Sequence, residues 1–137
     1  MIHKNLKQLR KRHQFTQEYI AEQLRVSRQA VAKWEKGESM PDLASCMELA
    51  KIYDITLDNL VYYDDKGTGV GIPPKGKHLF DSVTVGERGQ IVIPKRAREL
   101  FEIEAGDTLI IVGDEERGLA IVPKNYMKKF FIHFKEE

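Results

Sequence analysis

A single cysteine, Cys46, stands among the 137 residues, so no disulfide can form within the chain, and its place on the apolar side of a helix pattern makes it a core residue rather than a nucleophile. No apolar run is long enough to cross a bilayer and no secretory leader pattern is present, which leads us to expect a cytoplasmic protein with no membrane partner. The four histidines, His3, His13, His78 and His133, are scattered without ligand spacing, and no grouping of Ser, His and acid is recognisable. We therefore expect no metal, no cofactor and no catalysis. Charge of one sign is scarce too, with 22 Lys and Arg against 21 Asp and Glu and a net of +1. Any attraction to a polyanion must come from a local patch.

That patch is at the start. Residues 1 to 36 hold nine Lys or Arg against three acids. Within and just beyond them, Thr16 to Gly37 reads TQEYIAEQLRVSRQAVAKWEKG. Thr16 suits an N-cap for a helix over Gln17 to Leu24, with Glu18 in the first turn where the helix dipole favours an acid. Ser27 caps a second helix from Arg28 to about Lys36, and Gly37 suits the left-handed conformation that follows a helix end. Only Arg25 and Val26 separate Leu24 from the Ser27 cap, so the two helices pack at a steep angle.

At about 100° per residue from Arg28, the residues Ala32, Lys36, Gln29 and Lys33 fall within about 140°, whereas Ala30, Val31 and Trp34 share the far side. One face packs and the other contacts. Arg28 can grip a guanine edge and Gln29 an adenine edge through paired hydrogen bonds, Ala32 permits close approach, and Ser27 and Lys33 lie within reach of bases. Gln17 and Lys36, at helix ends, are assigned to phosphates. A solvated helix face would account for such residues singly. Caps, turn length and charge sign together favour a DNA-reading unit.

Residues 6 to 60, through that unit and on into EKGESMPDLASCMELAKIYDITLDNLV, resemble the Cro and phage-repressor class of helix-turn-helix domains, the xenobiotic-response-element family. The resemblance implies five helices: Ile2 to His13, the two above, Leu43 to Tyr53 after Pro41, and Leu57 to Val61 behind Thr56. Apolar positions agree, with Ile2, Leu6 and Leu9 on one helix and Leu43, Met47 and Ala50 on another. It also implies an ion pair between Arg10 and Glu35 beneath the DNA-facing surface, with Arg10 near a phosphate. The family often has glycine where this chain has Arg25, and a side chain at positive φ there carries modest strain.

Between Tyr62 and His78 the text changes to YYDDKGTGVGIPPKGKH, rich in glycine, with Pro73 and Pro74 adjacent and no apolar period. We expect a flexible linker over residues 64–79 after a domain at 1–63. Gly67, Gly69 and Gly71 have the wrong spacing for a nucleotide loop.

From residue 80 the pattern becomes β-rich. Ser82 to Val85, Gln90 to Ile93, Thr108 to Val112 and Leu119 to Val122 read as four strands, with a helix opening at Pro94 and burying Ala97, Leu100 and Phe101. Several strands are apolar on both faces, too much for a core of this size to cover. A second copy would cover them, so this half is expected to dimerise as an intertwined β structure. The stretch VTVGERGQIVIPKRARELFEIEAGDTL resembles the AbrB, MazE and SpoVT family of swapped-hairpin domains. The resemblance implies a dimer presenting basic residues to DNA, with candidates Arg88, Lys95, Arg96 and Arg98, although some members carry arginine where this chain has Gln90. It spans 80–125.

The tail, residues 126–137, reads YMKKFFIHFKEE, and Met127, Phe130, Phe131 and Phe134 recur at the spacing of one helix face. Such a stripe either docks on the chain's own dimer or binds a second protein. The fold class expected is α+β in two domains: five helices, then an intertwined β domain with an amphipathic C-terminal helix. The expected function is a non-catalytic homodimeric regulator, a repressor, on a two-fold-related operator in double-stranded DNA. An antitoxin that masks a toxin and represses its own operon is the alternative.

Overall fold

The computed structural model describes residues 1–130. The chain divides into two compact units, Met1–Asp81 and one that begins at Ser82. With an all-helical first unit and a strand-containing second, the fold is α+β in two domains, as the sequence leads one to expect.

The first unit holds α1 (Ile2–Arg12), α2 (Gln17–Leu24), α3 (Arg28–Lys36), α4 (Leu43–Tyr53) and α5 (Leu57–Tyr62). Four of the five start on a side-chain cap. Thr16, Ser27, Asp42 and Thr56 accept hydrogen bonds from the backbone N–H groups of Tyr19, Ala30, Ser45 and Asn59, each satisfying a donor the helix itself cannot. Leu6, Leu9, Ile20, Val31, Trp34, Leu49, Tyr53, Ile55 and Leu60 form the buried core that these helices share.

Asn5, a polar residue buried in α1, donates its amide to the carbonyl oxygens of Leu60 (3.0 Å) and Tyr63 (3.2 Å). It thereby ties α1 to the carbonyls at the end of α5, where no intrahelical donor remains. The inward face of α4 buries Cys46 and Ala50 as expected but not Leu43 and Met47. Cys46, Leu49, Ala50 and Tyr53 are buried, at helical spacing i, i+3, i+4 and i+7, while Leu43 and Met47 are 67% and 51% exposed. Both faces of α4 carry apolar residues, so periodicity alone could not choose between them. Burial pushes the Cys46 thiol above its ordinary range, in keeping with a packing role.

The segment expected to be a flexible linker is held to this first unit. Ile72 is 2% exposed and belongs to its core. Around it, the Arg12 guanidinium donates to the Ile72 carbonyl (2.8 Å), the Tyr63 hydroxyl donates to the Val70 carbonyl (2.6 Å), and the Lys75 N–H donates to the Asp54 carbonyl (3.0 Å). Asp65 folds the turn before it by accepting from the N–H groups of Gly67 and Gly69. One aliphatic side chain and three backbone anchors suffice to dock a stretch that has no periodicity.

The second unit contains α6 (Lys95–Leu100), β1 (Leu109–Asp114), β2 (Gly118–Pro123), a 3-10 turn (Lys124–Tyr126) and α7 (Met127–Phe130). The two strands pair antiparallel from Leu109 opposite Pro123 to Asp114 opposite Gly118. Four strands were expected, and two form among the described residues. Residues 82–85 and 90–93 lie outside the sheet, with Val83, Val85, Ile91 and Val92 exposed, Val92 to 74%. A strand needs a ladder partner, and a single copy of this short unit does not provide one. Pro94 is extended and precedes the helix rather than opening it. Ala97 is buried as expected and Phe101 packs edge-on against Tyr126, but Leu100 is exposed. Of the tail stripe, Met127 is half-buried; Phe131 and Phe134 lie outside the described residues.

Candidate nucleic-acid interface

The α2–α3 pair is shaped by its turn. Arg25 has φ 58° and ψ 43°, the left-handed conformation for which glycine is usual, and its N–H bonds the Glu22 carbonyl. Val26 returns the chain to the core side, and its N–H bonds the Ala21 carbonyl. The Ser27 cap then starts α3, which ends at Gly37 with φ 78°.

Val31, Trp34 and Glu35 face inward from α3, whereas Arg28, Gln29, Lys33 and Lys36 are exposed and Ala32 is half-buried. Long donors therefore flank a small residue on the outer face. Ser27 is exposed, and its oxygen accepts from Ala30 (3.1 Å) while its hydroxyl hydrogen stays available. The Arg28 side chain is 55% exposed, with its Nε 3.4 Å from a carboxylate oxygen of Glu18.

Behind this face a part-buried network centred on the buried Glu35 joins α1, α2 and α3. Arg10 donates from Nε (2.7 Å) and Nη2 (2.9 Å) to the two oxygens of Glu35, and from Nη1 to the Phe15 carbonyl. Gln17 donates to the same carboxylate (3.1 Å). Burial opposes ionisation of Glu35, but the Arg10 and Gln17 hydrogen bonds and the Arg10 and Lys7 charges outweigh it and hold its carboxyl below the ordinary range. The hydrogen bond from Arg10 to Glu35 raises the Arg10 guanidinium in turn. The Arg10–Glu35 pair implied by the family resemblance is thus present, and Arg10 and Gln17, both expected at phosphates, first lock α3 to the domain. One hydrogen on each terminal nitrogen of Arg10 remains for another acceptor.

In the second unit Arg88, Lys95, Arg96 and Arg98 are all exposed. Arg98 turns its Nε to the Ile93 carbonyl (3.0 Å), which pins the start of α6, and Lys95 lies 4.0 Å from Glu99. Gln90 folds its side chain over the loop and accepts from the Arg88 N–H (2.9 Å). A Cβ at Gly86 would meet that amide at 2.6 Å.

Sequence reasoning placed Glu18 only as a partner of the helix dipole and missed its contact with Arg28. The residues lie on different helices, so no local period links them. Among the described residues no group of His, Cys, Asp or Glu is arranged to hold a metal, and no helix is long and apolar enough to cross a membrane.

Residues 6–60 match the family model described as helix-turn-helix. A 60-residue stretch is 37% identical to the HTH-type transcriptional regulator MJ0272 of Methanocaldococcus jannaschii, covering 44% of this chain and 91% of that one. The chain belongs to the helix-turn-helix transcriptional regulators. The HTH-type transcriptional activator BcrR of Enterococcus faecalis is 42% identical over 60 residues, which is 44% of this chain and spans 29% of that relative's length. A crystal structure of a transcriptional regulator from Listeria innocua has a TM-score of 0.44 at 32% identity, covering 47% of this chain and 61% of that one. The second unit has a separate affinity: residues 82–129 match the model described as antidote-toxin recognition MazE, bacterial antitoxin.

Proposed function

We propose that this protein is a sequence-specific DNA-binding transcriptional regulator that acts in the cytoplasm as a homodimer and represses by occupying a two-fold-related operator. The observation that carries the reading is the outer face of α3, where Arg28, Gln29 and Lys33 project into solvent from a helix fixed by the part-buried Arg10–Glu35–Gln17 network. A short rod held this way can enter the major groove, with Arg28 on guanine, Gln29 on adenine, Ser27 within reach of a base edge and Lys33 on a base or phosphate, while Arg10, Gln17 and Lys36 contact the backbone beside it. Half-sites about 34 Å apart, or a multiple, would suit two such helices on one face of the duplex.

Support for the dimer comes from the second unit. Val83, Val85, Ile91 and Val92 are exposed, as are Ile111 and Ile121, which pair across β1 and β2, and Leu119. A second copy would cover such a surface and supply ladder partners to residues 82–85 and 90–93. Arg88, Lys95, Arg96 and Arg98 are candidates for a second DNA surface on that dimer, Arg98 through the terminal nitrogens left beyond its Nε bond to Ile93.

Selection of bound duplexes from a randomised library by the full chain tests base reading. Arg28→Ala and Gln29→Ala should each flatten preference at one position per half-site by about 1–3 kcal/mol, and Lys36→Ala should weaken all sequences alike. Unchanged preferences in both of the first two would end the base-reading assignment. Sedimentation of the full chain as a monomer at micromolar concentration would end the dimer. The match of residues 82–129 to an antitoxin model favours one second reading, a regulator that also masks a toxin. Co-purification of a small partner that is lost on removing residues 126–137 would support it.

A further inference from the structure

We infer that Glu18 is a specificity-determining residue that acts through Arg28, an inference that rests on the base-reading role proposed for that arginine. Glu18 lies in the first turn of α2 and Arg28 at the first position of α3, so the two-residue turn brings together side chains ten positions apart. The carboxylate contacts Nε of the guanidinium at 3.4 Å. Among the described residues nothing pairs with the two terminal nitrogens of Arg28. Those nitrogens are the pair that grips O6 and N7 of guanine, and an ion pair made at Nε leaves both of them open to a base edge.

The sign of the charge matters as much as the geometry. Both side chains are exposed, 55% and 69%, so the pair adds little to folding stability. An acid on the face that meets a polyanion weakens every complex it enters by repelling phosphates. It is tolerated at no net loss only where the arginine it holds gains a guanine. Anchored by Glu18, Arg28 is also kept from swinging to the nearest phosphate, the contact that would bind any sequence equally well. Glu18 therefore lowers affinity for random DNA and raises discrimination at one base pair. An acid serving only the dipole of α2 would affect helix stability and leave base preference alone.

The experiment uses full-length protein with two probes: a randomised duplex library for base preference, and one fixed 30-base-pair duplex of arbitrary sequence for non-specific affinity across a salt series. Glu18→Ala should reduce the guanine preference at the Arg28-dependent position by about tenfold, within the range of one bidentate contact. It should also tighten binding to the arbitrary duplex several-fold and steepen the salt dependence by about 0.9 as Arg28 gains a phosphate. Glu18→Gln, which keeps an oxygen for Nε but loses the charge, should restore part of the preference. In an Arg28→Ala background, Glu18→Ala should leave every base preference unchanged.

Two failures are distinguishable. If Arg28→Ala itself leaves all preferences intact, the base-reading assignment falls. If Arg28→Ala flattens one position and Glu18→Ala does not, the inference about Glu18 is overturned while base reading stands. A Glu18→Ala protein that melts earlier with unaltered preference would show a helix-dipole role only, and would overturn it as well.

Discussion

Removing the Glu35 carboxylate should loosen the reading helix more than any surface change. Three hydrogen bonds end on it, two from Arg10 and one from Gln17, and the Glu35 and Arg10 side chains are only 6% and 15% exposed. Deleting one member of such a pair strands the other. Loss of a buried partner costs about 3–5 kcal/mol, and the lower end applies here because Arg10 keeps its bond to the Phe15 carbonyl and can turn partly to water. We expect Glu35→Ala to destabilise the first unit by about 3 kcal/mol, a fall of roughly 12–24 °C in its melting midpoint. Trp34 is the single tryptophan and is buried beside Glu35 on α3, so tryptophan fluorescence during urea or thermal unfolding follows this unit alone. Replacing both charges, Arg10→Met with Glu35→Leu, should return stability to within about 1 kcal/mol of the parent, because neither desolvated ion is then left unmatched. A loss below about 1 kcal/mol for Glu35→Ala, or additive losses in the double variant, would refute the coupling.

The same carboxyl predicts a pH response. Its ionisation range is lowered in the folded protein, so its contribution is complete above the ordinary carboxylate value of about 4.3 and is lost as pH falls toward the lowered one. Between about pH 5 and 3 the parent should lose stability more steeply than Glu35→Gln, read by the same fluorescence. At Arg25, φ 58° costs an L-residue about 1–2 kcal/mol, partly offset by the extra chain entropy of glycine. Arg25→Gly should therefore raise stability by up to about 1 kcal/mol, and a loss would mean that the arginine side chain holds the turn. Ile72→Ala should destabilise the helical unit by about 2–4 kcal/mol, as for a fully buried aliphatic residue. A neutral result, with fluorescence and melting unchanged, would return residues 64–79 to the status of a free linker.

The helical unit was legible because its signals are local. Thr16, Ser27 and Thr56 cap the helices they precede, Gly37 ends α3, and the inward stripe of Val31 and Trp34 follows from helical spacing. Glu18 and Arg28, or Asn5 and Leu60, meet only after the chain has folded, and no window of sequence contains their relation. Ambiguity arose where two faces were equally apolar: Leu43 and Met47 looked as suitable for the core as Cys46 and Leu49, and the position of α4 against its neighbours decided the matter. For Ile72 the difficulty was the reverse, since a lone aliphatic residue among glycines and prolines has no pattern and gains its meaning from the space it fills.

Composition and periodicity thus determined two units of different texture, the capped helix pair and the outward set Arg28, Gln29 and Lys33, because backbone capping and helical repeat act within a few residues. The Arg10–Glu35 pair was already implied by the family resemblance, whereas tertiary structure alone decided that Gln17 turns to Glu35, that Glu18 meets Arg28, and that Ile72 closes the first core. Those outcomes depend on which surfaces remain to be covered once the helices exist, and burial is settled by neighbours distant in the chain.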